Sequence, residues 1–221
     1  MHLTLRSLTD GAIDQFATLI APLSNRVVKN ISDEERKARV RALIPILDEK
    51  KYSSWLKFLR REAEADDYEG MRSALHMAMF IIPSQFVHLN KLGELELRTR
   101  THFGILGWML HSATGGPNLV PSYSQATRVA FDGTTSYDFS WMLAEQVRRL
   151  STDANPRAFR APAIESVLES PSYPNWSRPR VEELVDSWVG QCGQVLAFVA
   201  EAQAAQLGIV AEESNPDWSY D

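Results

Sequence analysis

The sequence predicts an all-α fold in which six to eight helices pack as a single irregular bundle. Apolar residues recur at spacings of three and four along most of the chain, and capping residues precede several of these stretches. Residues 114–136 form a long loop region rich in Gly, Pro, Ser and Thr. The loop holds at most one short β-hairpin, with its predicted turn at Asp132–Gly133, because Asp-Gly suits two positive φ angles.

The first two helices are predicted from their caps and their apolar stripes. Thr9 or Asp10 starts the first helix, which continues through regularly spaced apolar residues to Leu23. Ser32 starts the second helix, because Glu35 follows three residues later and completes a capping-box pattern.

Proline and glycine bound the next helices. Pro45 interrupts the second helix, since proline removes a backbone donor and clashes with the preceding turn. A third helix is predicted from Ser53 or Ser54, and a buried one at 71–82. A long helical pattern then covers 84–113 and stops at two glycines and a proline.

The last third of the chain ends in the clearest predicted element. A helix is predicted over 138–150, and a proline-punctuated connector with one short helix covers 155–179. The final helix opens at Ser177 and ends near Gly208. Its apolar face consists of Val181, Leu184, Val185, Trp188, Cys192, Val195, Leu196 and Val199.

These elements predict one helical domain over residues 1–207, with the connector 155–179 as the candidate subdomain boundary. Residues 208–221 are predicted to be an acidic tail that carries aromatic residues. An acidic stretch without aromatic residues is typical of a solvated end. The aromatic residues therefore predict that the tail folds back on the basic helices within residues 26–61, with partner binding as the alternative.

Composition excludes several classes of protein. The 221 residues are 44 % hydrophobic and 23 % charged, which is typical of a globular domain and not of a disordered or fibrous chain. No apolar run approaches the ~20 residues of a spanning helix, and no signal peptide is recognised, so we expect no membrane partner and a cytoplasmic location.

The chemistry-bearing motifs of common cofactor and metal sites are not present in the sequence. One cysteine excludes an internal disulfide framework and a Cys-based zinc site within one chain. Gly-rich phosphate loops, His-Glu-x-x-His and the Gly-x-Ser-x-Gly elbow are missing. We therefore expect no cofactor and no metal.

Positive charge is concentrated in residues 26–61. This segment has 11 Lys and Arg against five Asp and Glu, a net charge of +6, whereas the whole chain carries −5 and the rest therefore −11. Such a helix pair on an acidic protein is typical of a phosphate-binding face, although an ordinary solvated face has the same pattern. The candidate contacts with a polyanion or partner are Arg36, Lys37, Arg41, Lys57, Arg60 and Arg61.

One column of polar residues is a candidate for catalysis. Glu94, Arg98 and His102 recur at a spacing of four, which places them on one side of the predicted 84–113 helix. A carboxylate holding a guanidinium beside an imidazole suits acid–base chemistry or phosphodiester cleavage. The ordinary interpretation of such a column is surface ion pairing.

The sequence favours a non-catalytic subunit or adaptor that binds a macromolecular partner. A protein partner is expected, nucleic acid is a second candidate through residues 26–61, and the oligomeric state is left open. Trp176, Trp218 and Tyr220 are the predicted interface anchors, because they lie outside the helical core stripes. The alternative is a small helical phosphodiesterase or ribonuclease that uses the column at Glu94, Arg98 and His102.

Overall fold

The computed structural model describes most of the chain. The described residues are 2–21, 32–50, 52–64, 82–98, 104–116, 119–121, 127–130, 136–171, 173 and 175–214. Most of the predicted helix at 71–82 and the predicted turn at Asp132–Gly133 lie outside them.

The prediction of an all-α fold is wrong, because the chain forms a mixed α/β structure around an antiparallel sheet of five strands. The strands are β1 (His2–Leu8), β2 (Gly93–Arg98), β3 (Thr127–Ala130), β4 (Ser136–Met142) and β5 (Gly208–Ser214). Their order across the sheet is β2-β1-β5-β4-β3, and each neighbouring pair is antiparallel.

Helices cover both faces of the sheet. Within the described ranges they are α1 (Asp10–Ile20), α2 (Asp33–Leu43), α3 (Ser53–Glu64), α4 (Ile82–Asn90), α5 (Gly104–Thr114), α6 (Ala144–Arg148), α7 (Arg160–Glu169) and α8 (Arg178–Ala204). Two short 3-10 helices, Ile44–Ile46 and Pro156–Phe159, precede a turn and α7 respectively.

The predicted starts of the first two helices are confirmed by their side-chain caps. The Thr9 hydroxyl accepts a hydrogen bond from the Ala12 amide, and the Ser32 hydroxyl accepts one from the Glu35 amide. The predicted break at Pro45 is also confirmed, because α2 ends at Leu43 and continues as a 3-10 turn.

Two apolar cores lie on opposite faces of the sheet. The α8-side core joins α5, α6, α7 and α8 to the sheet residues Leu3, Leu5, Leu97, Met142, Ile209 and Ala211. The α1-side core joins α1, α2, α3 and α4 to the sheet residues Leu8, Phe139 and Val210. Alternate residues of a strand point to opposite faces, so β1 and β5 contribute to both cores.

The long helix predicted over 84–113 is wrong. The chain instead forms α4, turns, forms β2 and then enters α5. In β2, Leu95 and Leu97 alternate with Glu94, Glu96 and Arg98, which is the period of a strand with one apolar face. Pairing with β1 along its whole length favours the strand over the helix.

Residues 208–214, predicted as the first part of a tail, form β5 at the centre of the sheet. This strand pairs with β1 on one side and β4 on the other. Its residues from Gly208 to Glu213 are buried, because helices cover both faces. The division of the chain into domains otherwise stays a prediction.

The short strand pair predicted in the loop region is confirmed as β3 and β4. The paired residues run from Thr127 opposite Phe139 to Ala130 opposite Ser136. Strand β4 continues to Met142, so the helix predicted over 138–150 is reduced to the five residues of α6. Pairing of β4 with β5 accounts for this difference.

Gly208 starts β5 at a point of close backbone approach. A Cβ at this position would lie 2.5 Å from the Met142 carbonyl oxygen, and it would also clash with the side chain of Ile13. We expect Gly208→Ala to lower the free energy of unfolding by about 1–3 kcal/mol, because the backbone of β4 would have to move. Urea unfolding of the variant measures this loss. Gly11→Ala is the control, because a Cβ at Gly11 meets no atom within 4 Å. Equal unfolding midpoints for the two variants would contradict the prediction.

Candidate functional site

A buried ion network connects three strands and one helix on the α1-side face of the sheet. Arg6 of β1 donates from Nε to Glu94 Oε1 at 2.7 Å and from Nη1 to Glu212 Oε2 at 2.6 Å. The Ser84 hydroxyl of α4 lies 3.0 Å from both carboxylate oxygens of Glu212, and Lys91 pairs with Glu94. The Arg6 and Glu212 side chains are each only 9 % exposed.

The charges in this network stabilise one another. Burial by itself raises the pKa of Glu94, but the hydrogen bonds from Lys91 and Arg6 outweigh it and hold the pKa below the ordinary 4.5. Burial also opposes the charge on Arg6, yet the carboxylate of Glu212 raises the Arg6 pKa overall. Both groups therefore stay ionised, and their contacts fix β1 to its two neighbouring strands.

The helical geometry predicted for the catalytic column is wrong at the two residues of it that the structure describes. Glu94 and Arg98 lie on strand β2 rather than on a helix, and His102 lies outside the described residues. Arg98 is exposed and approaches Glu96, whereas Glu94 belongs to the ion network. The hydrolase alternative thereby loses the helical geometry from which it was derived.

The structure separates the predicted polyanion-binding residues by exposure. Arg41, Lys57, Arg60 and Arg61 are exposed on α2 and α3. Arg60 pairs with Glu49 at 2.9 Å, and the Arg61 guanidinium lies 5.4 Å from the centre of the Phe58 ring.

Two further basic residues of α2 contribute less surface. The Lys37 side chain is only 12 % exposed and lies 4.0 Å from Glu34. Arg39 is buried and bonded to Glu35, and the side chain of Arg36 lies outside the described part. Four of the six predicted contacts are therefore exposed in the described part of the chain.

The connector between α7 and α8, together with the first turn of α8, carries a compact group of aromatic and basic side chains. It consists of Tyr173, Trp176 and Arg180, and we name it the aromatic–arginine surface. The ring centres of Tyr173 and Trp176 are 5.0 Å apart, and the Arg180 guanidinium lies 4.1 Å above the Trp176 ring. Tyr173 and Trp176 are half-buried, and Arg180 is exposed. Stacking on the ring limits the freedom of this exposed guanidinium, whose N–H groups can donate to a carboxylate.

Two of the three predicted interface anchors cannot be placed, since Trp218 and Tyr220 lie outside the described residues. Trp176 belongs to the aromatic–arginine surface. Cys192 is buried on α8, and burial raises its thiol pKa to about 11, so the thiol is protonated at neutral pH and poorly nucleophilic.

Two further properties concern only the described part of the chain. No group of three or more His, Cys, Asp or Glu side chains there is arranged to hold a metal ion. None of its helices combines the length and the apolar character that crossing a membrane requires.

No protein family, curated protein or solved structure matches this chain. Its own surfaces are therefore the basis for a functional proposal.

The sequence identified Trp176 but missed its two partners. Tyr173 is three residues before Trp176 and Arg180 four residues after it, which brings the three together where the chain enters α8. A tryptophan flanked at these distances by tyrosine and arginine, beside a predicted helix start, is the pattern from which the surface could have been found.

Proposed function

We propose that this protein is a non-catalytic subunit or adaptor that binds another protein through the aromatic–arginine surface. The observation that carries the proposal is the stack of Arg180 on Trp176, beside Tyr173, at an accessible position. Trp, Tyr and Arg are the residues most enriched among those that dominate binding energy at protein interfaces. A cytoplasmic location is part of the same proposal.

The surface favours a partner segment that combines a carboxylate with an apolar side chain. Arg180 offers a guanidinium whose plane is already held by Trp176, which lowers the entropy lost when a carboxylate binds. Neighbouring Arg178 is bonded to Glu165 at 3.0 Å, so Arg180 is the better candidate for the contact. Exposed parts of Tyr173 and Trp176 supply the apolar area.

The test is photo-crosslinking in an extract of the native host after nuclease digestion. A photoreactive amino acid at Ser177, an exposed residue whose side chain makes no capping hydrogen bond, is expected to capture a defined protein. The same photoreactive amino acid at exposed Lys57 is expected to capture none of this protein. Trp176→Ala or Arg180→Glu should lower the yield at least about ten-fold, the effect of losing roughly 1.4 kcal/mol of binding free energy.

Arg149→Glu is the matched control, because Arg149 is an exposed arginine on a different helix end. It should leave the yield unchanged. The proposal is wrong if Arg180→Glu and Arg149→Glu capture the same amount of the partner, or if crosslinks form equally from Ser177 and Lys57.

A contact of α2 and α3 with nucleic acid is the second candidate, supported by the exposure of Arg41, Lys57, Arg60 and Arg61. It predicts that binding to a nucleic-acid probe falls steeply as salt rises, since phosphate contacts release counterions. Lys57→Glu should then weaken binding while Arg180→Glu does not, which separates the two candidates.

A further inference from the structure

A cleft of about 630 Å³ lies between the start of the 3-10 helix Pro156–Phe159 and the middle of α8. Arg157 and Arg160 line one side, and Asp186, Gly190 and Gly193 line the other. The volume is within the range of small-molecule sites, about 300–1,000 Å³. The cleft shares no lining residue with the aromatic–arginine surface. Arg180 precedes Asp186, the nearest lining residue on α8, by six residues, which is about 9 Å along the helix and about 120° around it.

Packing does not account for the two glycines of the cleft. Glycine destabilises a helix interior relative to alanine, so its presence there usually reflects a close contact. A Cβ at Gly190 would meet no atom within 4 Å, and a Cβ at Gly193 would meet only Pro156 Cγ, at 4.0 Å. The two glycines therefore leave the backbone of α8 without side chains at the floor of the cleft, where the space above them is unfilled.

Two guanidinium groups and one carboxylate line the cleft. Arg160 holds Asp186 with two hydrogen bonds, of 2.5 and 3.0 Å. The hydrogen bond from Arg160 is the main reason that the Asp186 pKa lies below its ordinary value, and the positive charge of Arg157 adds to it. Glu182 of α8 also acts on Arg160, although it does not line the cleft. Among the lining residues, Arg160 is the guanidinium bonded to Asp186, which leaves the N–H groups of Arg157 for a ligand. The lining, with two positive charges and one negative charge, favours an anion over a cation.

The helical segment that begins at Pro156 adds to this preference. It continues from the 3-10 helix directly into α7, so its amino-terminal end, with the positive end of the helix dipole, lies at the cleft. The Asn155 side chain accepts a hydrogen bond from the Arg157 amide at 3.1 Å and fixes this end. The backbone at the amino-terminal end of this helical segment is thus held in place before any ligand binds.

We propose that this cleft binds a small molecule in which a carboxylate or phosphate is attached to a flat apolar ring system. The anionic group would contact Arg157, and the ring would lie on the bare backbone at Gly190 and Gly193, beside Pro156 and Val189. A flat ring matches a floor without side chains, and an anion matches the guanidinium of Arg157.

The test uses the full chain and four probes: 2-naphthoate, 2-naphthyl phosphate, 2-naphthylmethylamine and inorganic phosphate. Isothermal titration calorimetry should show binding of at least one of the two naphthyl anions. Which of the two binds more tightly distinguishes a carboxylate site from a phosphate site. The naphthyl cation should bind at least about ten-fold more weakly, and so should inorganic phosphate, which lacks the ring.

Two pairs of variants locate the binding. Gly190→Leu should weaken the anion at least about ten-fold without lowering the melting temperature, because leucine favours helix and its Cβ meets no neighbour. Gln194→Leu, on an exposed part of α8, is its control. Arg157→Gln should weaken the anion to a similar extent, and Arg149→Gln should not.

The inference is overturned if neither naphthyl anion binds, if the naphthyl cation or inorganic phosphate binds as tightly, or if Gly190→Leu binds the anion like the wild-type chain. Arg180→Glu should leave the affinity for the anion unchanged. The outcome at the cleft is therefore independent of the outcome at the aromatic–arginine surface.

Discussion

Replacing Arg6 with methionine is expected to lower the free energy of unfolding by about 3–5 kcal/mol, the range for removing one partner of a buried ion pair. Glu212, whose side chain is 9 % exposed, would keep only the hydroxyl of Ser84 as a donor among the contacts described above. The cost comes from leaving this carboxylate buried without a counter-charge. Urea unfolding at pH 7, followed by tryptophan fluorescence, measures it.

A double replacement separates this cost from general damage to the fold. Arg6→Met combined with Glu212→Met removes both charges, so we expect it to recover a large part of the stability that Arg6→Met loses. A loss below about 1 kcal/mol in Arg6→Met alone would contradict the importance of the network.

The same network predicts the sign of a pH effect. The Glu94 pKa is lower in the folded chain than its ordinary value of 4.5, so the folded state binds fewer protons than the unfolded state near that pH. The contribution of Glu94 is complete above about pH 5 and is lost as pH falls through the folded pKa. Arg6→Met should therefore show a shallower loss of stability than the wild-type chain below pH 5.

Trp188→Ala is expected to cost about 3–5 kcal/mol, the range for truncating a large buried aromatic side chain. Trp188 is fully buried in the α8-side core, where α8 contacts the sheet and α5. The deletion would leave a cavity that the paired strands cannot close. Denaturant unfolding at neutral pH is the measurement, and an unchanged midpoint would show that α8 does not pack as described.

Trp188→Phe is the matched control for this cavity. The indole Nε1 is buried without a hydrogen-bond partner among the described residues, so phenylalanine removes a group that contributes no hydrogen bond. We expect it to cost less than half as much as Trp188→Ala, because most of the apolar volume remains.

Local signals in the sequence were sufficient for several helices. Ser32 and Glu35 fix the start of α2 through contacts three residues apart, and Pro45 ends its regular hydrogen bonding. The apolar stripe of α8 is equally local, and Trp188 and Cys192 lie on its buried side as the spacing requires. These features depend on neighbours within two helical turns.

The strands were harder to predict for two different reasons. In β2 the alternation of Leu95 and Leu97 with charged residues was present but short, and it was merged with the helical patterns on either side. Strand β5 shows no alternation, because both of its faces are buried, and its Glu212 and Glu213 resemble an exposed end. Only pairing with β1 and β4 makes this segment a strand.

The ion network could not be read from spacing. Arg6 and Glu212 are 206 residues apart, and their contact exists only because β1 and β5 are neighbours in the sheet. The aromatic–arginine surface is local, by contrast, and its residues span eight positions of the chain. Sequence reasoning is therefore better suited to this surface than to the network.

The central position of β5 has a consequence for how the protein is made on the ribosome. His2 of β1 pairs with Ser214 of β5. Strand β1 therefore cannot pair with β5 until nearly the whole described chain has been synthesised. Until then β1 and β4 each present an unpaired edge, which is the type of surface that draws nascent chains into aggregates. We expect expression to be sensitive to chaperone supply, and chains stopped before Gly208 to accumulate as insoluble material.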